Sequence, residues 1–188
     1  PAINEYSARL AEERPEVKVL VNAAGFGIFG GFEGMELERQ LAMIDLNDKA
    51  LVAMTYLTLP YMHEGGEIFE LGSLSSFQPV PYINVYGASK AFVLSFTRAL
   101  NVELKKSGRG VRAMAVCPGW VKTEFFDTAV RDDTITYYNR YYTAEQVVKR
   151  ALGDMARGRD VSICGAAVRA QVFLTKLLPH RLVMSIWC

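Results

Sequence analysis

Cysteine and histidine are scarce in this chain, charge of one sign is missing, and no apolar run is long. Of 188 residues, three are cysteines and two are histidines. Cys117, Cys164 and Cys188 form no C-x-x-C pair, and their odd count argues against a disulfide framework. His63 and His180 stand too far apart to suggest a zinc site. A reduced, cytoplasmic compartment is the expectation. The opening residues are charged and helix-like, without the apolar stretch of a secretory signal. The 21 basic residues balance 20 acidic ones, leaving a net charge of +1 and no basic stripe, so nucleic acid is not an expected partner. The remainder, 51% hydrophobic and 22% charged, is ordinary for a globular protein, with length for a single domain over residues 1–188.

Short apolar runs alternate with helix-length segments. Residues 17–22 (VKVLVN), 67–72 (EIFELG), 111–116 (VRAMAV) and 160–164 (DVSIC) read as buried strands. Segments 36–63, 82–106 and 143–157 read as helices. Such alternation predicts an α/β fold, a doubly wound parallel sheet with helices on both faces. Residues 123–142, rich in Thr, Asp and Tyr, lack a period and read either as a lid or substrate wall or as a surface excursion. The tail, residues 166–188, is apolar with Arg169, Lys176 and Arg181, and Pro179 interrupts it. It reads as a helix packed on the domain or on a dimer partner. A membrane-surface helix is the secondary reading, since the run is too short to span a bilayer.

Tyr86 and Lys90 lie four residues apart, on one face of the predicted helix. An ammonium beside a phenol lowers the phenol's pKa, which suits proton exchange with a carbonyl or alcohol near neutral pH. Ser73, thirteen residues earlier, could hydrogen-bond the same oxygen. Asn22, Ala23, Ala24 and Gly25 end a strand with small residues, which either lets a ligand approach the carboxyl edge of the sheet or simply makes a tight turn. Gly25, Gly27 and Gly30 spell G-x-G-x-x-G, yet the helical pattern opens only near Met35, so this match is read as a decoy. Asn47 shares a predicted stripe with residues 51, 54, 58 and 61 and needs hydrogen-bond partners; it orients a water near Lys90 or ties down a helix kink. Pro118 and Gly119 turn the chain after a strand, either bringing backbone groups and the Thr123 hydroxyl to the same edge or making an ordinary turn.

Together, Asn22–Gly25, Asn47, Ser73, Tyr86-x-x-x-Lys90 and Pro118-Gly119-x-x-x-Thr123 resemble the short-chain dehydrogenase/reductase family in order and spacing, over about residues 1 to 165. The resemblance implies a Rossmann-like domain and an NAD(P)-dependent enzyme interconverting a ketone and a secondary alcohol. It implies Tyr86 as general acid/base, Lys90 lowering the tyrosine pKa and holding the nicotinamide ribose, Ser73 on the substrate carbonyl, and Asn47 keeping a relay water. Asn22, Ala23, Ala24 and Gly25 would line the cofactor, and Pro118, Gly119, Val121 and Thr123 would hold its carboxamide end. The cofactor is NAD or NADP, with NADP favoured although no residue of the chain reads that choice. A homo-oligomer is the default assembly. The tail around residues 177–183 is similar to that of relatives acting on lipid-like or steroid ketones.

One departure stands out. The family's first strands and their glycine-rich phosphate turn have no counterpart here, which leaves VKVLVN as an apolar edge. The expectation is that about sixty further residues precede Pro1. The alternative is a truncated, non-catalytic binding or assembly module.

Overall fold

The apolar run VKVLVN forms β1 (Val17–Asn22), the first strand of a four-stranded parallel sheet in a computed structural model that describes residues 2–125, 129 and 141–185. The sheet order is β1, β2 (Met62–Leu71), β3 (Arg112–Val116), β6 (Val161–Ser162). A separate parallel pair joins β4 (Trp120–Lys122) to β5 (Tyr141–Thr143). The helices are α1 (Ala2–Glu13), α2 (Leu37–Ile44), α3 (Leu51–Thr58), α4 (Asn84–Lys106), α5 (Ala144–Ala156), α6 (Ala166–Leu177) and α7 (His180–Met184).

Register sorts the side chains between the two faces. Leu20 pairs with Ile68 and Ile68 with Ala113; with Met62, Leu104 and Val111 they form the core beneath α3 and α4. Phe69, Met114 and Val116 point the other way, onto Val147, Ala151 and Met155 of α5 and Val168 of α6. Ile68, Met114 and Met155 are almost wholly buried, each contributing about 1.5–3 kcal/mol of transfer free energy. At the outer edge, β1 has no partner strand among the described residues, and Val19 and Val21 are 52% and 60% exposed.

The 23-residue α4 carries Lys105 and Lys106 in its last turn, where cations complement the helix dipole, and Gly108 follows at φ +75°. A capping box of Thr143 and Gln146 opens α5.

Three predicted elements differ. Segment 36–63 is not one helix: α2 and α3 flank a π-helical stretch, Asp45–Ala50, and a 3-10 turn, Leu59–Tyr61, leads into β2 at Met62. The Arg109 guanidinium closes this junction by donating to the Leu59 and Met62 carbonyls. The predicted strand 160–164 is shorter, because Gly165 at φ +91° turns the chain into α6. The tail forms two helices separated at Pro179, which lacks the N–H a continuous helix needs. Of predicted loop 123–142, residues 126–128 and 130–140 lie outside the described residues; Tyr142 is a buried member of the α5 core.

Candidate active site

All four sheet strands run parallel, so the loops after β1, β2 and β3 emerge at one carboxyl edge. A cavity of about 810 Å³ opens there. Its wall brings together Ala23, Gly25, Ser73, Tyr86, Lys90, Pro118, Gly119, Val121 and Thr123 from four separate segments. Three predicted site residues are not on it. Ala24 is exposed beside it. Asn22 sits on the opposite sheet face, donating from Nδ2 to Thr55 Oγ1 (2.9 Å) and Glu70 Oε1 (3.2 Å). Asn47 lies behind the wall.

Tyr86 occupies the first turn of α4 and Lys90 the next, as their spacing predicts. Lys90 is 5% exposed; its Nζ donates to the Leu71 carbonyl at 2.7 Å and stands 5.8 Å from the Tyr86 ring centroid. Burial lowers the Lys90 pKa to about 8, against the pull of Asp48, Cys117 and Glu70. Burial raises the Tyr86 phenol to about 12, and a hydrogen bond from the Ser73 side chain opposes the rise. This corrects the expectation that Lys90 depresses the tyrosine pKa. The ammonium is directed at a backbone carbonyl rather than at the phenol, and desolvation of the phenolate is the larger effect. Phe125 and Phe29, with ring centroids 5.6 and 6.4 Å from Tyr86, supply the apolar surroundings.

Ser73 is placed by its own loop. It caps the 3-10 turn Leu74–Phe77, accepting from the Ser75 amide at 3.2 Å, while Ser76 Oγ accepts from the Ser73 amide. Ser76 Oγ also donates to the Lys90 carbonyl at 2.7 Å, which fixes the serine loop to α4. Cys117 lies beneath this loop, fully buried with its thiol pushed up to about 12 by burial, so it is unreactive packing behind the site.

The side chain of Asn47 is committed to protein. Oδ1 accepts from the Phe26 amide at 3.1 Å, and Nδ2 donates to the Phe26 carbonyl (3.0 Å) and Ser89 Oγ (3.1 Å). Both amide hydrogens are therefore in use, so any water relay at this residue runs through its main chain, within the π-helical stretch. The buried stripe here is Asn47, Leu51, Thr55 and Thr58, rather than one continuing through Met54 and Tyr61.

The glycine run opens no α-helix: a 3-10 turn, Phe32–Gly34, follows it and α2 starts at Leu37. Its glycines serve close approach instead. A Cβ on Gly25 would lie 2.7 Å from Asn47 Oδ1 and 3.6 Å from Lys90 Nζ, and one on Gly27 would meet Phe125 and Tyr86. The wall suits the flat nicotinamide end of a dinucleotide, with small residues at Ala23 and Gly25, the Pro118-Gly119 backbone and the Thr123 hydroxyl. No glycine-rich helix start for a pyrophosphate adjoins it among the described residues, and its charged members are Lys90 and Glu124.

The structure adds residues the motifs did not reveal. Ser76 and Ser89 fix the loop and Asn47. Ser75 Oγ and Gln78 Oε1 are buried without partners, and both residues line the cavity. Glu70 is wholly buried. A glutamate inside the apolar strand EIFEL was the available signal for it.

Comparison with known proteins agrees with this geometry. Residues 1–134 match the family described as short chain dehydrogenase. The chain is 41% identical over 128 residues to sulfoacetaldehyde reductase 2 of Chromohalobacter salexigens, covering 66% of this chain and 50% of that protein. It is 39% identical over 141 residues to the NADP-dependent 3-hydroxy acid dehydrogenase of Escherichia coli strain K12, covering 70% of this chain and 54% of the relative. The chain thus spans about half the length of the curated relatives it matches. Among solved structures, a short-chain dehydrogenase from Sphingobium yanoikuyae in complex with NADPH superposes with TM-score 0.72 at 30% identity, over 89% of this chain and 66% of the other. Sequence motifs, parallel sheet and site geometry converge on one conclusion: this chain belongs to the short-chain dehydrogenase family.

Proposed function

We propose that the protein is an NAD(P)-dependent oxidoreductase that interconverts a ketone and a secondary alcohol, with Tyr86 as general acid/base. The observation that carries this reading is the convergence of Ser73, Tyr86 and Lys90 with the Pro118–Thr123 segment on one cavity wall. A nicotinamide dinucleotide held there by Ala23, Gly25, Lys90 and the Pro118–Thr123 segment would supply or accept the hydride. Tyr86 gives its phenolic proton to the carbonyl oxygen during reduction and takes it back during oxidation. Ser73 orients that oxygen and stabilises the phenolate. Lys90, charged below about 8, holds the ribose and replenishes the proton. Asn47 fixes the turn at Phe26, and its main chain carries the relay water. The apolar wall excludes bulk water and strengthens each of these interactions.

NADP is the favoured cofactor, supported by the E. coli relative's name and the NADPH-bound Sphingobium structure. The wall also favours an uncharged, lipid-like carbonyl compound. Lys90 is the cation on the wall among the described residues, and its place one turn from Tyr86 reserves it for the ribose rather than for a charged substrate. Ser75 and Gln78 would meet a polar group next to the carbonyl. A homo-oligomer is supported by exposed Leu37, Leu41 and Ile44 on α2 and Phe92 on α4, and a reduced cytoplasmic setting by free, buried Cys117 and Cys164. The test follows the loss of reduced nicotinamide when the full chain meets a panel of ketones. Turnover with NADPH supports the reading. No turnover of any ketone with either NADPH or NADH overturns it.

Two observations favour other readings. The open edge of β1 among the described residues, with Val19 and Val21 exposed, favours a binding or assembly module, for which calorimetry would find no dinucleotide binding. Exposed Phe173, Leu174, Leu177 and Leu182 beside Lys176 and Arg181 favour a membrane-surface role for the tail. No helix among the described residues is long and apolar enough to cross a membrane. Vesicle flotation with and without residues 166–188 decides that second point.

A further inference from the structure

Glu70 has no role in the reaction above, yet it is wholly buried directly behind the site. Register pairs it with Asn22 on β1 and with Ala115 on β3, on the sheet face beneath α3 and α4. Its Oε1 lies 2.8 Å from Thr55 Oγ1 and 3.2 Å from Asn22 Nδ2, and its Oε2 has no hydrogen-bond partner.

Counting hydrogens favours a protonated form, because the Thr55 hydroxyl faces two acceptors, Glu70 Oε1 and the Leu51 carbonyl, with one hydrogen. Thr55 Oγ1 also lies 2.8 Å from the Leu51 carbonyl, which can only accept. The hydroxyl has one hydrogen and cannot serve both oxygens. If it donates to Leu51, the short contact to Glu70 needs a hydrogen on the carboxyl. Asn22 Nδ2 then donates to Thr55 Oγ1 and Glu70 Oε1, and every short contact in the cluster has its donor. An ionised Glu70 would instead leave Thr55 and the Leu51 carbonyl as two facing acceptors. It would also bury a carboxylate with one oxygen unpaired, which is costly. Lys90 offsets this only through its charge, since its Nζ donates to the Leu71 carbonyl rather than to the carboxyl.

We propose that Glu70 is a positioning residue, a buried neutral carboxylic acid that clamps Asn22 to Thr55 and thereby holds the Ala23–Gly25 turn against the cofactor side of the cavity. The proposal rests on the functional reading for the meaning of that turn, but the protonated clamp stands apart from it.

The clamp opens with pH. Burial raises the Glu70 carboxyl to about 7, against hydrogen bonds from Thr55 and Asn22 and the charge of Lys90. The groups facing it are Asn22 from β1, Thr55 from α3 and Lys90 from α4, with apolar Ala115 from β3; Asp48 of the π-helical stretch acts on Lys90 in turn. On losing its proton Glu70 draws the Thr55 hydrogen away from Leu51 and loosens α3 beside Asn22. Its new negative charge also holds the Lys90 proton more tightly, so one titration acts on both the turn and the catalytic lysine.

Two measurements on the full chain test this. Infrared difference spectra of wild type against Glu70→Gln are expected to show a protonated-carboxyl band in wild type at slightly acid pH that fades as pH passes about 7. Absence of that band overturns the clamp, whatever the enzyme's activity. NADPH titration by fluorescence is expected to give Glu70→Gln an affinity within about threefold of wild type, less than 1 kcal/mol. That affinity should lose the wild-type change with pH near 7, keeping only the change near 8 that Lys90 causes, whereas Glu70→Ala binds at least about tenfold more weakly. If Glu70→Gln binds as weakly as Glu70→Ala, the neutral acid is not the working form and the proposal falls. If wild type binds no dinucleotide, the functional reading falls, and the infrared result still decides the clamp.

Discussion

Asn47 grips both backbone groups of Phe26, its Oδ1 accepting from the amide at 3.1 Å and its Nδ2 donating to the carbonyl at 3.0 Å. The contact ties the π-helical stretch of the crossover to the turn that follows β1, and a further bond to Ser89 ties both to α4. Asn47→Ala leaves two backbone groups and a hydroxyl without their partner. The expected cost is about 2–3 kcal/mol of stability, read as a lower urea midpoint, with weaker dinucleotide binding. An unchanged midpoint would mean that the turn is held by other contacts.

Gly25 provides a second probe of the same turn. A methyl group there meets Asn47 Oδ1 at 2.7 Å, whereas one on Gly31 has nothing within 4 Å. Gly25→Ala is expected to cost about 1–3 kcal/mol in strain and to weaken NADPH binding, while Gly31→Ala is close to wild type in both. Equal behaviour of the two variants in thermal melts and binding titrations would remove Gly25 from the wall.

Stability should depend on pH in a definite direction. The Glu70 carboxyl rises from an ordinary 4.5 to about 7 on folding, and Asp48 from 3.8 to about 6, both through burial. Between those limits the folded chain binds more protons than the unfolded one. The contribution is therefore complete below the lower values and lost as pH climbs through the upper ones. Above about 8 the buried Lys90 reverses the trend, because the unfolded lysine keeps its proton to about 10.5. Urea midpoints measured across this range should fall and then recover. Glu70→Gln should flatten the fall, Glu70 accounting for on the order of 3 kcal/mol of it.

Much of the frame was legible in the sequence because it is local. VKVLVN is a strand with the predicted limits, and Tyr86 and Lys90 are successive turns of one helix, since period and spacing specify both. The false glycine fingerprint could be rejected because no helical pattern opens at it. What escaped depends on neighbours distant in the chain. The π turn at residues 45–50 has no local signature, and Thr55 is buried in place of Met54 where it meets Asn22 and Glu70. The pKa of Tyr86 moved against expectation because burial of the phenol outweighs the Ser73 hydrogen bond, while Lys90 Nζ donates to Leu71, a partner nineteen residues away. Glu70 could be seen as a charge in an apolar strand, but its clamp needs Asn22 and Thr55 brought together by strand register.

The central claim is that the Tyr86 hydroxyl moves the proton. The most direct measurement compares Tyr86→Phe with wild type for reduction of a ketone by NADPH. The comparison pairs the rate with NADPH affinity and the thermal midpoint on the same samples. The expected result is a loss of about 10²–10⁴-fold in kcat, with NADPH affinity and melting close to wild type. A Tyr86→Phe protein that keeps its rate within about threefold of wild type would contradict the assignment, because removing a working general acid costs at least about a hundredfold.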